Sequence, residues 1–243
     1  MDVHYRELLF SSYNRTHLST VDGEDPRPKI DWFHKYVQLN YLPHLRAYSR
    51  DQIQILEIGC NKGFLISALA NLGFRKLRGI DLSPDDIRLA KQLVPEAELL
   101  CGDAETHLAE APETYDFVIL KAVLEHVEKG KIVPLLMKIR DALKPSGMII
   151  IDVPNMDWLM AQHERYMDFT HEVGFTRESL AQVMKNVFRD VQVTKARPVA
   201  ESRKLEFVRP FVLRCMYWMF RILGEGSSEI WWDCRSIIAV ATK

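Results

Sequence analysis

From residue 53 onward, short β-branched or apolar runs alternate with longer amphipathic stretches, the pattern of βαβ units around a mostly parallel sheet. The runs are IQILEIG (53–59), LRGIDL (77–82), AELLCGD (97–103), YDFVILK (115–121), GMIIIDV (147–153) and RDVQVTK (189–195). SIIAVATK (236–243) closes the chain as a seventh strand. Between the runs, FLISALANLGF reads as a helix stopped by Gly73. Ser83-Pro84-Asp85-Asp86 supplies an N-cap, a proline at the first helical position and acids at the positive helix end. The helix before the fifth strand runs through IVPLLMKIRDAL and breaks at Lys144-Pro145-Ser146-Gly147.

Three segments depart from the alternation. Residues 1–50 are rich in aromatics and histidine and read as a helical prefix; residues 154–176 carry the densest polar constellation; residues 198–235 hold an apolar, arginine-studded helix. The whole chain, 1–243, thus reads as one domain: prefix, a core at 51–197 with the loop at 154–176, a helical insertion at 198–235, and the last strand at 236–243.

Composition narrows the class. With 243 residues, 47% of them hydrophobic, the chain can bury a sizeable core, and disorder is excluded. Thirty-two Lys plus Arg against 33 Asp plus Glu leave a formal charge of -1, so no uniform basic field exists to hold nucleic-acid phosphates. The four cysteines form no CxxC pair, and no metal-spaced ligand set stands out, so reduced thiols and no metal are expected. The start MDVHYRELLF lacks the basic and apolar regions of a secretory signal, and a cytoplasmic protein is expected.

In open parallel sheets, ligands bind at the carboxyl ends of the strands. The first strand ends in Glu57-Ile58-Gly59-Cys60-Asn61-Lys62-Gly63, where two glycines allow a tight turn and close approach to backbone amides. The second ends in Asp81, able to accept from both hydroxyls of a ribose, and the third in Gly102-Asp103-Ala104, where a carboxylate can accept from an exocyclic adenine amine. The fourth ends in Lys121 and leads into Ala122-Val123-Leu124-Glu125-His126. Each piece alone also reads as a tight connection or a helix cap. The absence of GxGxxG favours a nucleoside without phosphates.

ILEIGCNKGFL, GIDLSPDDIRLAK, LLCGDAETHL, YDFVILKAVLEHV and ALKPSGMIIIDVPN together resemble the Rossmann-like, seven-stranded S-adenosylmethionine-dependent methyltransferases. The resemblance covers roughly residues 50–195 and the last strand, and it implies that this strand is antiparallel and inserted beside the sixth. It also implies that Glu57, Gly59, Cys60 and Gly63 line the methionine part of S-adenosyl-L-methionine, Asp81 and Leu82 the ribose, Asp103 and Ala104 the adenine, and Lys121 the sulfonium side. Asn61 departs from the glycine found there in many members.

The acceptor side is expected in the loop. Arg165 and Tyr166 are candidates to hold acceptor oxygens. Trp158, Tyr166, Phe169 and Phe175 are candidate aromatic walls, and Asp168 can orient His171 as a general base. The plainer alternative has Asp168 tying down a loop and His171 capping a helix. His126 and Glu125 read either as acceptor or cofactor partners or as a helix start. RYMDFTHEVGFTRESL resembles a subset of these methyltransferases from lipopolysaccharide O-antigen and other surface-polysaccharide pathways, which implies O-methylation of a sugar or lipid-linked glycan. Ala122 departs from the acid that many of those proteins carry before VLEH. Other acceptors, such as a quinone, lipid or small metabolite, and a cofactor-binding partner protein without turnover, are the rival readings. Residues 205–223, interrupted by Arg209, Arg214 and Arg221, are too charged to span a bilayer; they read as a lid or homodimer helix, or as a peripheral helix on the inner membrane face.

Overall fold

The structure is a computed structural model that describes residues 9, 10, 13, 16, 25–199, 202–222 and 230–243. Its frame is one seven-stranded sheet in the order β3-β2-β1-β4-β5-β7-β6. The strands are β1 (Gln54–Ile58), β2 (Lys76–Asp81), β3 (Glu98–Cys101), β4 (Tyr115–Lys121), β5 (Leu143–Pro154), β6 (Arg189–Lys195) and β7 (Ser236–Thr242). β7 lies between β5 and β6 and runs antiparallel to both, as the family resemblance implies. The other pairings are parallel.

Alternate residues of the central strands feed two apolar layers, which is why these strands read as continuous apolar runs. Ile55, Phe117, Ile119, Ile150 and Ile238 face one layer. Leu56, Val118, Leu120, Ile149, Ile151 and Ile237 face the other. Helices cover both: α1 (Arg27–Asn40), α2 (Leu42–Leu45), α3 (Phe64–Asn71), α4 (Pro84–Leu93), α5 (Ala104–Ala109), α6 (Ile132–Ala142), α7 (Ala161–Tyr166), α8 (Arg177–Lys185) and α9 (Arg203–Ile222). The caps follow the sequence. Ser83 accepts from the Asp86 amide at 3.2 Å with Pro84 opening α4, and Gly73 takes φ +94 after α3. One boundary differs: α6 ends at Ala142 and β5 begins at once with Leu143, so Lys144–Gly147 form an irregular strand start opposite a register shift in β4.

Most of the described prefix is helical, in α1 and α2. α1 lies on α3, with Phe33 stacked on Phe64 at 5.7 Å, and Tyr36, Val37, Tyr41 and Leu45 are buried in the layer against the sheet. Asn40 bonds the carbonyl and amide of Arg197, fastening the prefix to the chain beyond β6. α9 packs through Tyr217 and Phe220 against Trp232, while Phe207 and Trp218 stand 88% and 69% exposed. No helix among the described residues is long and apolar enough to cross a membrane. The end of the predicted segment, residue 223, lies outside the described residues.

Candidate functional site

The chain leaves β1 toward β2 on one side and reaches β4 on the other, so a crevice opens between the carboxyl ends of β1 and β4. There a cavity of about 560 Å³ is lined from every segment the strand-end reading named. Gly59 holds φ +73, and a Cβ placed on it would stand 2.4 Å from Val123, so only glycine lets the β1 loop and the β4 loop approach this closely. Asp81 fixes the same loop from β2: its carboxylate accepts from the Asn61 amide and the Ser83 amide, each at 2.9 Å. Burial raises the Asp81 pKa against the pull of these amides.

Glu57 lies at the floor. It is 4% exposed, one of its carboxylate oxygens has no partner, and burial followed by the nearby Asp81 charge pushes its pKa well up. A buried carboxyl with an orphaned oxygen beside a glycine cradle fits a cationic or N–H-bearing ligand, which would favour its ionised form. At the far end, Leu82, Asp103 and Ala104 line the cavity. Asp103 also caps α5 through the Thr106 amide at 2.9 Å, so the helix-cap reading of that residue holds while its side of the strand end still faces the cavity.

Lys121 enters from β4 and is set by the prefix. Its ammonium pairs with buried Asp152 at 3.0 Å and lies 4.3 Å from the centroid of the Tyr36 ring. Asp152 also accepts from the hydroxyls of Tyr36 and Tyr41, at 2.7 and 2.6 Å. The prefix is thereby part of the site wall, and Lys29, Phe33, Phe10 and Tyr13 line the cavity with it.

On the acceptor side the loop after β5 folds against the turn after β4. The amides of Glu172 and Val173 donate to the Glu125 carbonyl at 2.8 and 3.1 Å. This brings His171 to His126, ring centroids 4.7 Å apart, beside Glu125. Glu125 is 2% exposed, neither carboxylate oxygen has a partner, and burial pushes its pKa up to about 8. Burial lowers the pKa of His171.

Several expected roles change. Asp168 does not hydrogen-bond the ring of His171. Its carboxylate accepts from Thr170, at 2.9 Å from the amide and 2.7 Å from the hydroxyl, and from the Tyr13 hydroxyl at 2.5 Å. Thr170 Oγ1 in turn lies 2.8 Å from His126 Nδ1, so Asp168 orients His126 through Thr170. Burial pushes Asp168 up, but the hydrogen bonds from Tyr13 and Thr170 outweigh it and hold its pKa below the usual carboxylate range. Arg165 is a loop fastener: its guanidinium donates to the carbonyls of His171 and Glu172 at 2.5 and 3.2 Å. Tyr166, at the end of α7, and Phe169, in the turn beyond it, point outward, 78% and 83% exposed. Trp158, Phe175 and Gly63 do not line the cavity. Trp158 lies near Arg235, Phe175 is core, and Gly63 takes φ +78 and packs on Ala90. No described residue of α9 lines the cavity either, which places that helix beside Trp232 and off the acceptor entrance. Glu164, which with His163 is the next candidate for the base after His171, instead pairs with Arg235 at 2.8 Å on the cavity wall; Arg235 and Asp152 carry no role in the sequence reading. Only Asp152, an acid ending an apolar strand, carried a local hint. No metal-spaced set stands out in the sequence, yet the fold gathers ligand atoms of Glu125, His126 and His171 within 4.8 Å of one another.

Residues 55–147 match the family model described as "Methyltransferase domain". A malonyl-[acyl-carrier protein] O-methyltransferase of Halalkalibacterium halodurans is 27% identical over 152 residues, 60% of this chain and 55% of that protein. A mitochondrial ubiquinone biosynthesis O-methyltransferase of Schizosaccharomyces pombe is 32% identical over 103 residues, 40% of this chain and 36% of that protein. The matched parts thus span about half or less of those relatives' lengths. Among solved structures, a SAM-dependent methyltransferase from Archaeoglobus fulgidus superposes with TM-score 0.63 at 20% identity, covering 99% of this chain and all of that one. Phosphoethanolamine N-methyltransferase 2 of Haemonchus contortus, in complex with S-adenosyl-L-methionine, gives TM-score 0.59 at 18% identity over 99% of this chain and 60% of that one. These two likenesses concern the fold.

Proposed function

We propose that the core of this chain is a class I, S-adenosylmethionine-dependent methyltransferase domain and that the protein is an O-methyltransferase acting on a hydroxyl or carboxyl group of a small, largely apolar metabolite. The observation that carries the reading is one cavity that joins the strand ends fitted to the methyl donor with the Glu125–His126–His171 cluster. Phe10, Phe33, Phe64, Val123, Leu135 and Met167 supply its apolar walls, in keeping with relatives named for ubiquinone biosynthesis and malonyl-carrier substrates.

S-adenosylmethionine, when bound, supplies a methyl group on a sulfonium: the C–O bond forms as the S–C bond breaks, with the bonding electron pair staying on sulfur. Glu57 and the Gly59 turn would hold the methionine part, Asp81 the ribose, and Asp103 with Ala104 the adenine. Lys121, its charge balanced by Asp152, closes the wall near the reacting end. The Glu125–His126–His171 cluster takes charge of the acceptor's proton, with His126 oriented by Thr170 and Asp168. Tyr13 and the prefix aromatics exclude water from the reacting oxygen.

The test is transfer of label from methyl-labelled S-adenosylmethionine to a panel of quinols, phenols, carboxylic acids and nucleotide- or lipid-linked sugars. A labelled ether or ester of an apolar acceptor is the expected product. The loop resemblance over 165–180 favours a sugar acceptor instead; labelling confined to the glycans would establish that reading, and no labelling of any acceptor would favour a cofactor-binding protein without turnover.

A further inference from the structure

Resting on the methyl-transfer reading of this pocket, we infer that Glu125, His126 and His171 form a three-ligand site for a divalent first-row transition cation, for which zinc is the probe. Zinc ligands at about 2.0–2.2 Å from the ion stand roughly 3.3–3.6 Å from one another, so the three groups, all within 4.8 Å, need to close by about an ångström. Two imidazoles and one carboxylate suit such ions better than magnesium or calcium, which favour oxygen cages.

Three independent features support the assignment. First, Glu125 is 2% exposed with both carboxylate oxygens unpartnered, an arrangement that is costly for an isolated carboxylate and that a bound cation resolves. Second, His126 already has the outer support that metal-bound imidazoles have: Nδ1 is held by Thr170 Oγ1, and that hydroxyl donates to Asp168. The ligating nitrogen of His126 is then Nε2. Third, the two segments that carry the ligands are stitched together by backbone bonds from Glu172 and Val173 to the Glu125 carbonyl, so they meet without needing the ion to assemble them.

All three residues line the cavity, so the remaining coordination positions face the acceptor. An acceptor hydroxyl bound there would be more acidic, its proton taken by the metal-bound hydroxide that it displaces as water before the oxygen attacks. His171 and His126 would then act as ligands and not as the base.

The experiment is equilibrium dialysis of the chelator-stripped full chain against zinc, with bound metal quantified by mass spectrometry and cobalt absorption bands recorded in parallel. One equivalent per chain is expected, with affinity falling about tenfold or more in His171→Ala and in His126→Ala, and by about 10–100-fold in the outer-shell variant Asp168→Asn. Wild-type protein that binds no stoichiometric zinc, or variants that bind it as wild type does, would overturn the site. S-adenosylhomocysteine binding, measured on the same samples, reports the other half of the pocket; it shows that the variants are folded and separates a failure of the methyl-transfer reading from a failure of this one.

Discussion

The two halves of the pocket are made in different ways. The donor half is assembled from the ends of β1, β2, β3 and β4, neighbours in one sheet, and its turns are set by backbone conformation: Gly59 at φ +73 and the two amides held by Asp81. The acceptor half joins the prefix, the turn after β4, the loop after β5 and the approach to β7, which meet through side-chain hydrogen bonds, an ion pair, ring contacts and a few backbone bonds. A half built on strand ends inherits the rigidity of the sheet. A half built on loops can change its acceptor without disturbing the fold.

That contrast is open to direct attack, and the largest effect is expected on the acceptor side. Removing His126 or His171 should lower turnover about 10²–10⁴-fold, the range for loss of a group that governs the acceptor proton. S-adenosylhomocysteine affinity, followed by calorimetry, should stay near wild type. If either substitution instead abolished donor binding, the two halves would not be separable.

On the donor side, Asp81→Ala removes the acceptor for two backbone amides and for the ribose hydroxyls, and should weaken S-adenosylhomocysteine binding by about 1–3 kcal/mol. Titration calorimetry that shows an unchanged affinity would break the assignment of that strand end. Gly59→Ala places a methyl group 2.4 Å from Val123 Cγ2 on a backbone at positive φ. It should cost about 1–3 kcal/mol in stability, read as a lower denaturation midpoint, and should weaken donor binding with it.

The smallest effect concerns pH. In the metal-free protein Glu125 is raised from 4.5 to about 8 by burial, so the folded chain holds a proton that the unfolded chain has released. Its contribution is fully present below about pH 4.5 and is lost as pH rises through about 8. Thermal unfolding in chelator should therefore shift down between about pH 5 and 8.5 more steeply for wild type than for Glu125→Gln. Parallel curves would show that Glu125 is already ionised in the fold.

How much was legible from the residues follows the same division. β4 and β6 begin and end where their apolar runs do, and the strand-end residues line the cavity where the pattern put them, because strand ends and a glycine turn are local properties of the chain. Only Gly63 among them turned out to serve packing, and nothing in its immediate neighbours distinguishes it from Gly59; Ala90, 27 positions away, does. In the loop, residue type was a poor guide. Arg165 and Tyr166 have the chemistry to bind an acceptor, yet one spends its donors on the loop's own carbonyls and the other faces solvent.

By itself, then, the sequence determined the alternating layers, the seven strands and the strand ends that line the cavity, since periodicity, caps and turns act over a few residues; the antiparallel last strand was implied by the family resemblance alone. Only the tertiary structure decided that Asp168 supports His126 and not His171, that Tyr36 and Tyr41 reach Asp152, and that Glu125, His126 and His171 share one space. Those contacts join residues from 44 to 116 positions apart or lie across a folded loop, and the path of the chain between them is fixed by packing against the sheet, which no local pattern records.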